Sequence, residues 1–323
     1  MQITLLGRGR AADRCGSGMA IGRFGVFDRG DVVTVLGFDM ETDLGSWTPF
    51  YEGVKYGTPR ILNVLAKTGV KATFFFTGEV ATKFPEVVRN VDSEGHEVGC
   101  HTLYHETIGD ELFPIPGVKP LLPEEVPLRI RRATQCVEEA LGKKVLSFRC
   151  PRLWGSTAVV RALEELGYAA DASYPLYYYG ERFVPYHPHR DDWTKEGDMK
   201  LLEIPNFADI TMDSRDEFGR DRDQWPLFRT EGTDKLMAHV QSFIRHNADH
   251  GLPAVLCFYM HPWEFVEMSR GLIHYGEGSV MPDEFITRNC GDVALAELEK
   301  LIKELRRIGS AFMTVRELAE AWA

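Results

Sequence analysis

From Asp31 onward the chain alternates short, nearly continuous apolar runs with longer segments in which apolar residues recur at three- and four-residue spacing. The short runs, VVTVLGF, ATFFF, EVGC, VLSF, LLEI, AVLCFY and AFMTV, read as strands, and the AA pair before Asp171 as a weaker one. The periodic segments read as amphipathic helices. Thr58 and Pro59 open one through RILNVLAK, Pro85 opens PEVVRNVDSEG, and a longer one runs from about Pro123 to a stop at Gly142. Further helices are TAVVRALEELG, DKLMAHVQSFIRHNADHG, VALAELEKLIKELRRIG and VRELAEAWA. Strands alternating with helices predict an α/β fold with a mostly parallel sheet, and one barrel-like domain over residues 31–323 is the simplest account.

Two stretches fall outside that alternation. Residues 1–30, rich in glycine and arginine, read as an irregular N-terminal extension, because GRGRAADRCGSG lacks the Gly-Lys-Ser/Thr ending of a nucleotide loop. The other runs from Pro175 to about Gln224 and carries Tyr177, Tyr178, Tyr179 and Trp193, with Trp225 just beyond. Long loops inside α/β domains tend to bind ligands, so this segment is the candidate substrate surface.

Composition narrows the partners. A formal charge of −11 argues against a general nucleic-acid binder, which presents a basic patch to phosphates. The six cysteines form no CxxC pair and read as free thiols of a reduced compartment. The N-terminal apolar stretch is too short for a signal-peptide core or a membrane span, so a cytoplasmic location is expected, with no membrane partner. Self-association is compatible with this composition.

The candidate chemistry sits where strands end. EGHEVGCHTLYH puts His101 and His105 four positions apart directly behind a strand; if that segment turns helically, both imidazoles share one face and can converge on a cation. Asp39, Glu41 and Asp43 follow an upstream strand. Three acids within five positions are unfavourable to gather without a cation or an arginine nearby. Two histidines and one carboxylate make a catalytic metal site, and mixed nitrogen and oxygen ligands accept zinc, cobalt, nickel or manganese.

FDMETD, HTLYH, FRCPRLW, YAADASYP and FYMHPWEF, in that order, resemble the motifs of the polysaccharide deacetylase family, carbohydrate esterase family four. The likeness runs from about Asp31 to the end and is strongest in KATFFFTGE and EGHEVGCHTLYH. It implies a distorted (β/α) barrel of about seven strands holding one divalent metal, most often zinc. It implies that His101 and His105 are metal ligands and that Asp39 is the general base acting on water. The family's usual metal-binding aspartate would be adjacent to the base, where Met40 stands here, so Glu41 is the first choice for third ligand and Asp43 the alternative. Arg149 matches the arginine that orients the base, and Arg152 stands where a tyrosine is usual. His261 matches the proton donor to the leaving amine, with Asp171 in the position of its supporting acid.

The implied activity is metal-dependent hydrolysis of a C–N bond, removing acetyl from an N-acetylated amino sugar or polysaccharide. The alternative is a cyclic imide or allantoin-type amidohydrolase, with a small amide or imide as substrate. A carbohydrate-binding relative without catalysis is the third reading, disfavoured because a mere binder needs no matched acid and base.

Overall fold

The computed structural model describes residues 26–322, so most of the extension expected over residues 1–30 lies outside the described residues, as does Cys15. The chain builds one parallel sheet of eight strands: β1 (Val32–Met40), β2 (Thr73–Phe76), β3 (Glu97–Cys100), β4 (Ser147–Phe148), β5 (Ala170–Asp171), β6 (Leu202–Glu203), β7 (Ala254–Met260) and β8 (Ala311–Phe312). Every apolar run read as a strand is one, though several keep only two ladder residues. From β1 the order runs β2, β3, β4, β5, β6; β8 pairs with the start of β1, and β7 lies along its other edge from Val32↔Ala254 to Phe38↔Met260. Asn206, just past β6, bridges to both Pro175 and Cys257 and so joins the two ends of the sheet. The curled parallel sheet with outer helices is the expected distorted (β/α) barrel.

Alternation along the strands sorts the core into two apolar layers. Leu36, Phe38 and Met40 belong to the larger one, shared with residues of the outer helices. Val33, Val35, Phe75, Ala170, Ala172, Leu202, Ile204 and Val255 form the smaller one with Val315, Leu318 and Trp322 of the last helix. These residues line the barrel, and the helix Val315–Trp322 stops its lower end. On the same face of β1, higher up, stand Gly37 and Asp39.

The helices follow the predicted periodicity with shifted ends. The first, α1, spans Thr58–Thr68, and Thr58 is not its cap: a π-helical turn, Gly53–Gly57, runs straight into it. The helix expected from about Pro123 begins at Val126 and stops at Gly142, whose φ of 79° is the left-handed C-terminal conformation that glycine favours. No helix among the described residues is long and apolar enough to cross a membrane.

The π-turn lies against the segment that follows β7. A Cβ on Gly57 would stand 2.1 Å from the Pro262 carbonyl oxygen, and one on Gly53 2.2 Å from the Trp263 nitrogen. Neither partner is a side chain that can rotate away. Gly57→Ala is therefore expected to destabilise the protein by roughly 1–3 kcal/mol, the range for overpacking. Urea denaturation checks it, and an unchanged midpoint would show that this contact does not fix the turn.

Candidate metal and catalytic site

The carboxyl ends of β1, β3, β4 and β7 converge on one face of the barrel, where ligands gather in parallel α/β folds. Asp39 is the penultimate residue of β1 and is buried. Arg149, directly after β4 and fully buried, donates from Nη1 to Asp39 Oδ1 at 2.9 Å. Its Nε donates to the Ala172 carbonyl at 3.1 Å, and its guanidinium lies 4.4 Å over the Phe75 ring. Gly37 makes this possible, because a Cβ there would sit 2.2 Å from Arg149 Nη1.

Glu41 lies beyond the end of β1, buried between the two histidines. Its Oε2 is 2.5 Å from His105 Nε2 and 3.5 Å from His101 Nε2. The segment after β3 is a turn rather than the helix the His spacing suggested: Thr102 has φ 61° and His105 φ 59°. Amides of the next helix, Gly78 and Glu79, donate to the carbonyls of Thr102 and Leu103 and hold this left-handed path. The four-residue spacing therefore brings the imidazoles together by a route other than helical periodicity, with ring centroids 5.2 Å apart.

His101 Nδ1 lies 2.7 Å from the Arg149 carbonyl oxygen, which can only accept, so the ring carries its proton there and leaves a lone pair on Nε2. That Nε2 and Glu41 Oε1 are buried without a hydrogen-bond partner, while Glu41 Oε2 has the His105 imidazole as its neighbour. Burial disfavours the Glu41 carboxylate, but His105, His101 and His261 outweigh it and hold its pKa well below the ordinary value. Burial pushes His105 down to about 4, so its imidazole is neutral at physiological pH. An anionic carboxylate and two neutral imidazoles, with ligand atoms all within 4.8 Å of one another, fit a divalent cation.

Asp43, the alternative third ligand, stands apart from this group. Its carboxylate oxygens accept the amides of Glu52 and Gly53, each at 2.9 Å, so it closes a turn. Asp171 is also used differently from the expectation. Ala170 and Ala172 line the barrel, so the intervening Asp171 points to the other face of the sheet, where it accepts from Ser173 and neighbours Glu203. Burial pushes it up to about 7.

The carboxylate beside His261 is Glu264, which the sequence reading missed. Glu264 Oε1 accepts from His261 Nδ1 at 3.0 Å, from the His261 amide at 2.8 Å and from Trp225 Nε1 at 2.8 Å. Its Oε2 accepts from buried Arg229 at 2.6 Å. The local signal was the HPWE run, whose short 3₁₀ turn, Pro262–Phe265, returns the third residue after His261 to the imidazole. Burial pulls the His261 pKa down, but Glu264, Glu41 and Asp39 more than compensate, and the net direction is up. His261 Nε2 faces Glu41 at 4.0 Å.

These groups border a cavity of about 440 Å³ that also has Trp47, Phe113, Tyr177 and Trp225 in its walls. The aromatics of the long loop thus divide: Tyr177 and Trp225 line the cavity, whereas Trp193 is buried against Tyr174 and Tyr179. His96, in the same motif as His101, is buried below the site and accepts the Ala72 amide at 3.3 Å. Among the described residues, the non-glycine residues with positive φ are Leu44, Ser46, Thr102, His105, Arg152, Leu153 and Asn289, and all but the last lie in the loops around the cavity. Strained backbone of this kind collects at functional sites.

Residues 35–170 match the family model described as polysaccharide deacetylase. A peptidoglycan-N-acetylglucosamine deacetylase from Bacillus cereus is 38% identical over 90 residues, 20% of this chain and 33% of that protein. A chitooligosaccharide deacetylase from Azorhizobium caulinodans is 30% identical over 111 residues, 34% of this chain and 48% of that protein. The chain thus spans between a third and a half of the length of these curated relatives. The crystal structure of PuuE allantoinase superposes with a TM-score of 0.59 at 15% identity, covering 91% of this chain and 90% of that one, a likeness of fold. Barrel and motif order agree with these matches, which make residues 35–170 similar to the polysaccharide deacetylase family.

Proposed function

We propose that the protein hydrolyses an amide C–N bond and releases acetate from an N-acetylated amino sugar. The observation that carries this reading is a buried carboxylate closed between two imidazoles, set beside an arginine-held aspartate on one side and a histidine on the other. Glu41, His101 and His105 would hold one divalent ion, zinc or its near equivalents cobalt, nickel and manganese, which supplies Lewis acidity toward water and the substrate carbonyl.

The chain's own residues do the rest. Asp39 takes the proton of the attacking water, and its ion pair with Arg149 keeps it charged and fixed in direction. His261 delivers a proton to the departing nitrogen from Nε2, because Glu264 holds the other ring nitrogen as a donor. The upward shift of the His261 pKa suits a group that must arrive protonated. Trp47, Phe113 and Trp225 offer apolar wall against which a sugar ring could rest.

A second reading, hydrolysis of a cyclic imide or an allantoin-like ring, is favoured by the modest cavity and by Asp39 and Glu41 standing two positions apart. Metal-replete protein offered N-acetylglucosamine oligomers, cyclic imides and allantoin, with a chelated control, separates the two. Chelator-sensitive acetate release is the expected result. Ring opening without acetate would replace the first reading by the second, and no hydrolysis of either class would overturn both.

Metal content and turnover should separate by residue. Asp39→Asn is expected to retain metal after dialysis and to lose about 10²–10⁴ in kcat. Glu41→Gln should lose the metal, and Asp43→Ala should keep it; metal retained by the first and lost by the second would reverse the assignment.

Glu264 generates a pH-dependent stability. Burial disfavours its charge, but Arg229 and His261 prevail and bring its pKa from the ordinary 4.5 to about 2. A carboxylate depressed by folding stabilises the fold fully above its unfolded pKa, and that stabilisation, on the order of 3 kcal/mol, fades as pH falls from about 4.5 to about 2. Glu264→Gln should therefore be less stable than the parent by a few kcal/mol at pH 7, with the gap closing over that acid window. A gap in the denaturation midpoints that stays constant with pH would refute the assignment.

A further inference from the structure

Arg152 is a cation in the wall of the cavity that makes no direct ion pair among the described residues. It follows Arg149 by three residues, on the short turn Pro151–Leu153, where φ values of 60° at Arg152 and Leu153 turn the chain back on itself. Its guanidinium is largely withdrawn from solvent, stacked 5.8 Å from the Trp47 ring. Among the described residues no carboxylate lies within salt-bridge distance of it, and its one hydrogen-bond partner is His105 Nδ1 at 3.2 Å. A guanidinium stays charged in proteins and carries five donors, so most of its hydrogen-bonding capacity is unused.

The one contact it has is provisional. A guanidinium only donates, so His105 Nδ1 must accept here, with the ring proton on Nε2 toward Glu41. A histidine that ligates a cation through Nε2 has its proton on Nδ1, where it would face the N–H of Arg152. The ligand role proposed for His105 and the Arg152 contact therefore exclude each other. With a cation on His105, the guanidinium would be free to face the cavity it lines.

A second arginine lines the same cavity. Arg220 lies 4.7 Å over the Phe113 ring and likewise has no carboxylate within salt-bridge distance among the described residues. The acids bordering the cavity are already engaged: Asp39 with Arg149, Glu41 with the histidines, and Asp223 accepting from the Tyr259 hydroxyl. Glu41 and Asp223 are felt by Arg152 and Arg220 as charge, but neither guanidinium is closed in a direct ion pair, whereas each acid of the wall already has a close partner.

We propose that Arg152, assisted by Arg220, recognises an anionic group of the substrate, and that the preferred substrate is an N-acylated amine carrying a carboxylate near the amide. Arg152 acts as a specificity residue through a charge-assisted, bidentate contact of the kind guanidinium makes with carboxylates. For the bond broken, the inference rests on the amide hydrolysis proposed above; for binding it does not.

The test uses three probes that share one skeleton: N-acetylglucosamine, N-acetylmuramic acid, and the methyl ester of the latter, in which only the charge is removed. In the metal-loaded parent protein, kcat/KM for the acid is expected to exceed that for the ester by about 10–100-fold, and calorimetry should give a matching ratio of affinities. In Arg152→Gln both ratios should fall toward one, with a partial return in Arg152→Lys and unaltered metal content. Arg220→Gln should lower them by a smaller factor. Equal turnover of acid and ester by the parent, or an equal loss on both in Arg152→Gln, would overturn the proposal and leave Arg152 a structural role. Charge-dependent binding without acetate release would sink the deacetylase reading and keep the anion site. Acetate release indifferent to charge would do the reverse.

Discussion

The buried ion pair between Asp39 and Arg149 is the joint on which the site depends. Two opposite charges withdrawn from water are tolerated only when paired and hydrogen-bonded, and removal of one leaves the other with an unmet desolvation penalty of several kcal/mol. The barrel is built to meet that condition. Gly37 clears the space, Phe75 offers a ring face, and the carbonyls of Ala172 and Phe258 and the Cys257 sulfur accept from further N–H groups. The backbone carbonyl of Arg149 also fixes the His101 tautomer. One residue thus orients Asp39 through its side chain and His101 through its main chain.

Around that joint the site is layered by burial. Below it the barrel is largely apolar, and the buried carboxyl there, Glu97, is already satisfied by Thr73, Ser147 and the Arg316 amide of the last helix. Beside it Glu41 and the imidazoles are buried with lone pairs unspent, an arrangement unstable in an apolar interior unless a cation completes it. Across the cavity Arg229 holds Glu264, and Glu264 holds His261, so a second buried charge pair repeats the logic of the first. Asp39 and His261, on either side of Glu41, are therefore each held by an arginine outside the cavity lining, the second through Glu264.

Much of this was legible in the chain because hydrophobic runs and the residues after them are local information. Each strand could be read from its apolar run, and Asp39, His101, His105, Arg149 and His261 could be read as residues that follow strands. What failed were inferences about direction. The His101–His105 spacing suggested a helix, but two residues with positive φ make the turn, and only contacts with the neighbouring loop determine that. Asp171 seemed suited to support His261, yet strand alternation turns it to the opposite face. Glu264 was passed over because its role depends on a 3₁₀ turn and on Arg229, distant in sequence. The choice between Glu41 and Asp43 hung on which carboxylate the amides of Glu52 and Gly53 had already claimed.

The ring of strands meets itself at Asn206, through single bridges to Pro175 and Cys257 rather than through a ladder. A seam this narrow carries little of the stability of the barrel, and the long segment from Pro175 onward leaves the ring there. Insertions or deletions in that segment would alter Tyr177, Arg220 and their neighbours while leaving the strands that bear Asp39, His101 and Arg149 in register. Change at the seam would thus reshape the wall of the cavity and spare the strands beneath it, so that the lining can vary where the barrel is sewn shut.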